Sequence, residues 1–81
     1  MIPVWKFYQG AWERRDNSWN GSTFTERIGQ AFFNHLASVR PDLSEQIRGS
    51  DKDPFHIAYE SQQWMRFIQF IQKNWDKKDS N

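Results

Sequence analysis

The segment TFTERIGQAFFNHLASV (residues 23–39), followed at once by Arg40-Pro41, decides the fold. At 100° per residue, Phe24, Ile28, Phe32, His35, Leu36 and Val39 share one broad face, with Ala31 at its margin. Gly29 falls near that face, where a missing side chain lets another element approach. Arg27, Gln30 and Asn34 point the other way. Thr23 and Glu26 stand at capping-box spacing, the hydroxyl accepting an early backbone N–H and the carboxylate reaching back. A residue before proline is pushed out of the α region, so Arg40-Pro41 stops the helix. The spacing predicts a helix over about 24–38.

Toward the C-terminus, Pro41 suits the first position of a short second helix, 41–48, with Leu43 and Ile47 as its apolar stripe and Gly49 as its stop. Ser50 to Asp53 is a polar connector, and Asp53-Pro54 repeats the pattern of a cap followed by a first-turn proline. A third helix is expected to begin at 54 or 60 and run to 76. Trp64, Ile68, Ile71 and Trp75 share its apolar face, with Phe67 beside them and Met65 further out. Arg66, Gln69 and Lys73 oppose them. Phe70 sits among these polar residues, out of place. Lys77 and Lys78 complement the negative end of the helix, and 77–81 reads as a flexible tail.

The first 21 residues are harder. Trp5, Trp12 and Trp19 recur every seven residues, which suggests a helix face, but Gly10, Asp16-Asn17-Ser18 and Asn20-Gly21 count against one. Val4 to Tyr8 is rich in strand formers, Gln9-Gly10 can turn, and Ala11 to Arg14 can pair back. A β-hairpin or extended aromatic arm laid over the helices is therefore expected, with Asn20-Gly21-Ser22 as a turn. The expected architecture is mainly α. It is a three-helix domain (about 24–38, 41–48 and 54/60–76) with that N-terminal hairpin or arm. All 81 residues form a single domain: arm 1–21, helical core 22–76, tail 77–81.

Composition narrows the function classes. There is no cysteine, which excludes disulfides and thiolate zinc sites. Seven Phe, five Trp and two Tyr supply the core instead. The net charge of +1 is spread evenly along the chain, which disfavours a dedicated nucleic-acid binder. No apolar run suits a signal peptide or a membrane span, so a cytoplasmic protein without membrane contact is expected. His35 and His56 lack a partner at metal-ligand spacing. His35 is expected to be partly buried and hydrogen-bonded, and His56 to lie at the surface. Residues 49–53 resemble a calcium-loop fragment without its central glycine and distal glutamate. No catalytic residue, metal or cofactor is expected.

What remains is a set of aromatic and arginine residues. Tryptophan and arginine are enriched at binding hot spots, because they offer large desolvated area and fixed hydrogen-bond geometry. The partner-binding candidates are Trp12, Arg14, Arg15, Trp19, Arg66 and Phe70. Against this, a small core without disulfides needs its tryptophans buried, Trp5 and Trp12 above all. Phe70 is either covered by the N-terminal arm or a contact for a partner or second copy.

Arg27-Ile-Gly-Gln-Ala-Phe-Phe-Asn-His-Leu36, then Arg40-Pro-Asp-Leu-Ser-Glu-Gln-Ile-Arg-Gly-Ser50 and Asp53-Pro-Phe55, resembles a pattern in small uncharacterised proteins of bacteriophages and related bacterial genomes. The shared positions are caps and core, so no active site is carried over. The resemblance implies the cytoplasm of a host bacterium and a host or anti-phage defence protein as partner, inhibited by steric occlusion. Two other readings stay open. One is a nucleic-acid-binding regulator with a degenerate helix-turn-helix, drawing on Arg40, Arg48 and Lys52. The other is a homodimeric structural protein joined through Phe70.

Overall fold

The computed structural model describes residues 2–56 and 61–76. Four helices follow one another: α1 (Val4–Asn17), α2 (Ile28–Val39), α3 (Pro41–Ile47) and α4 (Gln62–Asn74). No strand forms among the described residues, so the expected N-terminal hairpin or arm is replaced by α1. The reason lies in the spacing of Val4, Phe7, Tyr8, Ala11 and Trp12. These recur at helical intervals; Phe7 and Ala11 are fully buried, and the other three pack partly against the core. Burial on one face outweighs the β preference of the individual aromatics. Gly10 is not a breaker. It is the point of close approach to α2, where an added Cβ would collide with the His35 imidazole. Asp16 and Asn17 form the last turn of α1, which closes as the Ser18 N–H donates to the Arg15 carbonyl and the Trp19 N–H to the Asp16 carbonyl.

α2 starts at Ile28 rather than at 24. Thr23 and Glu26 do not cap it: the N-cap is Arg27, four residues beyond Thr23, whose backbone N–H and carbonyl are tied into the Asn20 turn, and the Glu26 carboxylate accepts from Arg14 and Asn34. The Gln30 side chain accepts the Arg27 N–H instead (3.0 Å). Ala31, Phe32 and Leu36 are buried as expected. Phe33 is buried too, which the single-face reading missed. It meets the edge of Phe55 at 5.9 Å and carries the Arg48 guanidinium 5.2 Å above its ring. α2 is therefore covered on two sides.

The proline stop and the short α3 match the sequence reading. Gly49 ends that segment at φ +74°, and its N–H donates to Asp53 Oδ2 (2.7 Å). Asp53 Oδ1 accepts the Phe55 N–H (2.9 Å), forming a turn after Pro54. The part of the third expected helix at 57–60, and the tail at 77–81, lie outside the described residues. Ser61 caps α4 by accepting the Trp64 N–H (3.1 Å).

Phe32 is the centre of the core. The rings of Phe7, Trp12, Trp64 and Phe67 surround it at 5.8, 5.8, 4.9 and 6.2 Å, all edge-on. Trp75 closes the other end against Phe7 (5.1 Å) and donates its indole N–H to the Ile2 carbonyl (2.9 Å). Arg40 joins three helices there. It grips Asp42 with two hydrogen bonds (3.0 and 2.8 Å), donates to the Trp75 carbonyl at the end of α4 (2.6 Å), and lies 5.5 Å over the Trp75 ring. Among the described residues, no helix is long and apolar enough to cross a membrane.

Candidate functional site

Four of the six candidate residues come together at the C-terminal end of α1. The chain leaves α1 through a turn that the sequence specifies closely. Asn20 Oδ1 accepts the N–H groups of Ser22 and Thr23 (3.0 Å each), and Gly21 takes φ +99°. The Ser18 carbonyl accepts the Thr25 N–H (2.9 Å), and Ser18 Oγ accepts the Glu26 N–H (3.1 Å). Trp19 and Phe24 form an isolated antiparallel bridge across this turn, so their rings stand side by side at 4.9 Å. Both are exposed, Trp19 at 51% and Phe24 at 36%.

Arg15 backs this pair. Its guanidinium lies 4.2 Å over the Phe24 ring and 5.3 Å over the Trp12 ring. Asp16 Oδ1 is 3.2 Å from Arg15 Nε but out of line for a hydrogen bond. Arg14 is not a free contact residue. It holds the Glu26 carboxylate with two parallel hydrogen bonds (2.8 and 3.1 Å), fastening the turn to α1. That guanidinium, helped by the Asn34 amide (2.9 Å), draws the Glu26 carboxyl below its ordinary value.

Trp12 continues the surface. It is half-buried, leaning edge-on against Phe32, and its outer side lines an apolar groove of about 360 Å³ between α1 and α4. Tyr8, Phe32, Trp64, Met65, Ile68 and Gln72 also line the groove, and Met65 is 51% exposed. Burial pushes the Tyr8 phenol up, with the Gln72 side chain beside it. The result is a continuous path from Trp19 through Phe24, Arg15 and Trp12 to Met65. Phe24 and Met65 were not among the expected site residues. Phe24 was assigned to the helix face, and only the late start of α2 leaves it outside.

Arg66 and Phe70 do not join that surface. They lie on the outer face of α4, lining a separate cleft with Lys52, Gln69, Lys73 and Asn74. Phe70 is half-buried, and Lys52 of the connector, not an N-terminal arm, shares its cleft.

The histidines have structural surroundings. His35 is half-buried, its ring stacked on Phe7 at 5.7 Å and 7°, and burial pulls its pKa down. Among the described residues its ring makes no hydrogen bond, and stacking takes the place of the expected one. His56 is exposed beside Phe55. Among the described residues, no group of three His, Asp or Glu side chains is placed to hold a metal ion.

Comparison of the chain with protein-family models, curated proteins and solved structures found no match.

Proposed function

We propose that this chain is a non-enzymatic protein-binding module whose contact surface runs from Trp19 and Phe24 over Arg15 and Trp12 to Met65. The observation that carries this reading is the exposed Trp19–Phe24 pair. Two large rings are held in water by a well-hydrogen-bonded turn, at an end of the molecule where the core does not need them. Exposed apolar area that is continuous and rimmed by charge marks a recognition surface more often than chance exposure does. Rigid rings also lose little side-chain entropy on binding. The phage-protein resemblance makes the partner a host or anti-phage defence protein in the bacterial cytoplasm, blocked by steric occlusion.

The helix-turn-helix alternative has less in its favour. Residues 48–61 separate α3 from α4, against a turn of three or four residues in that motif. Of its three candidate cations, Arg40 is engaged with Asp42 and the Trp75 carbonyl, and Arg48 with Glu45 and Phe33. A homodimer joined through Phe70 would bring Lys52, Arg66 and Lys73 of two copies together, like charge against like.

The test is capture from bacterial lysate with wild type, Trp19→Ala and Met65→Ser run in parallel. A stoichiometric partner is expected with wild type and not with either variant, while thermal melts stay within a degree or two. Retention of the same partner by both variants would overturn the proposed surface. Concentration-dependent dimerisation that Trp19→Ala abolishes would make a second copy of the chain the occupant.

A further inference from the structure

The cleft on the outer face of α4 has a composition unlike the rest of the surface. Arg66, Phe70 and Lys73 recur at i, i+4 and i+7, which places them on one side of the helix, opposite the buried Trp64, Phe67, Ile71 and Trp75. The connector brings Lys52 to the same cleft, and Gln69 and Asn74 also line it. Three cations thus share one cleft with an aromatic ring, with no carboxylate among the described residues that line the space. This is a strong local excess in a chain whose net charge is only +1.

How the cations are engaged is an independent observation. Arg14, Arg15, Arg40 and Arg48 each meet a carboxylate and, except for Arg14, an aromatic face as well. Arg14 and Arg40 fasten distant parts of the chain, and Arg15 and Arg48 lie on aromatic rings. Among the described residues, Lys6, Arg27, Arg66 and Lys73 form no ion pair; of these, Arg66 and Lys73 share one cleft with Lys52, which has only Asp51 at 3.4 Å, with both side chains about half-exposed. Such an exposed pair is weak and yields readily to a better anion. Phe70 is equally unusual. Its half-buried ring packs against the core on one side and lines the cleft on the other. Its backbone is steadied by Asn74 Nδ2, which donates to the Phe70 carbonyl (2.9 Å).

We infer that this cleft binds a nucleoside phosphate, either free or as one unit of a single strand, with the base on Phe70 and the phosphate held by Arg66, Lys73 and Lys52. The cleft measures about 370 Å³, within the range of small-ligand sites and too confined for a duplex to enter. A base reaches the ring only if it is unstacked, which selects single strands. An acidic peptide would satisfy the cations but leave Phe70 without a partner. The site is separate from the Trp19–Phe24 surface and does not depend on a protein partner binding there.

The test is an amide-resolved NMR titration of the full chain with five probes: adenosine monophosphate, an eight-residue oligothymidylate, an eight-base-pair duplex, inorganic phosphate and oligoglutamate. With the first two, shifts are expected at Lys52 and across residues 66–74. Oligothymidylate affinity should fall with salt at a logarithmic slope of about −0.7, as for one phosphate neutralised on a single strand. Tighter binding of the oligonucleotide assigns the site to strands, and equal binding assigns it to free nucleotides. Phe70→Leu keeps an apolar side chain against the core and should weaken nucleotide binding about tenfold. Arg66→Gln with Lys73→Gln, both at exposed positions, should abolish it, and Trp19→Ala should leave it unchanged. No shift with either nucleotide probe at low salt overturns the proposal. So does equal or tighter binding of the duplex, inorganic phosphate or oligoglutamate, or unchanged nucleotide affinity in Phe70→Leu.

Discussion

Along the outer side of α1, Arg14 is held by the Glu26 carboxylate and Arg15 lies between the rings of Trp12 and Phe24. Along the outer side of α4, Arg66 and Lys73 stand beside Phe70 with no ion pair among the described residues. The residue types are the same, and the difference comes from what the chain returns to each surface. Residues 18–27 fold back over the end of α1 and deliver both Phe24 and Glu26. Among the described residues, the connector returns only Lys52 to the α4 cleft. A partnered cation stiffens the surface and leaves its rings as the exposed feature. An unpartnered cation keeps its charge available, so the two surfaces suit different ligands.

The contrast is broken most severely by moving α1 itself. Gly10→Ala should destabilise the protein by about 1–2 kcal/mol net, an overpacking cost of roughly 1–3 kcal/mol less the helix preference that alanine adds. In a His35→Ala background the obstruction is gone, and the same change should become stabilising by up to about 1 kcal/mol. Urea denaturation of the four proteins in this cycle checks the sign reversal.

Arg15 gives the next largest effect. Arg15→Ala removes a cation from two ring faces and should cost about 1–2 kcal/mol in the same measurement. Arg66→Ala should change stability by less than about 0.5 kcal/mol. Equal losses at the two positions would remove the distinction between the surfaces.

Glu26 provides a pH signature. Its folded-state pKa is depressed by the Arg14 hydrogen bonds, so its contribution is fully present above the ordinary glutamate value and is lost as pH falls through the folded value. Asp42 behaves alike through Arg40. Stability should therefore fall as pH drops below about 4, and Glu26→Gln should shallow that fall while costing less than about 1 kcal/mol at neutral pH. A fall of undiminished steepness in Glu26→Gln would show that the pair does not fasten the turn.

The smallest expected change in stability is at Trp19. Trp19→Ala should shift the melt by no more than a degree or two, because the ring is half in water and touches chiefly Phe24. A loss comparable to that of Arg15→Ala would make the exposed pair a structural element and not a contact surface.

Much of the helical core was legible because its signals are local. The Arg40-Pro41 stop, Gly49 after α3, and the Trp64–Phe67–Ile71–Trp75 face each depend on residues within a turn or two of one another. Phe70 also read correctly as the one ring on the polar side of α4. α1 was misread for the opposite reason. Gly10 and the aromatics of 4–8 carry strong local signals for turn and strand, while the burial that favours a helix comes from α2 and α4. The i, i+3, i+4, i+7 recurrence of Val4, Phe7, Tyr8 and Ala11 was present in the sequence. It outweighs propensity only once there is a core for that face to meet.

The candidate residues divide in the same way. The sequence by itself determined the stops at Arg40-Pro41 and Gly49, the apolar face of α4, the Ala31–Phe32–Leu36 part of that of α2, and the turn at Asn20-Gly21, since caps, prolines and periodicity act over a few residues. Only the tertiary structure decided that Arg14 and Arg40 are clamps, that Phe24 joins Trp19, and that Lys52 meets Arg66 and Lys73. Arg14–Glu26, Arg40–Trp75 and the meeting of Lys52 with Arg66 and Lys73 join residues 12 or more apart in sequence, and Phe24 is left to Trp19 only because α2 starts at Ile28. No local pattern specifies which cation a folded chain will leave without a partner.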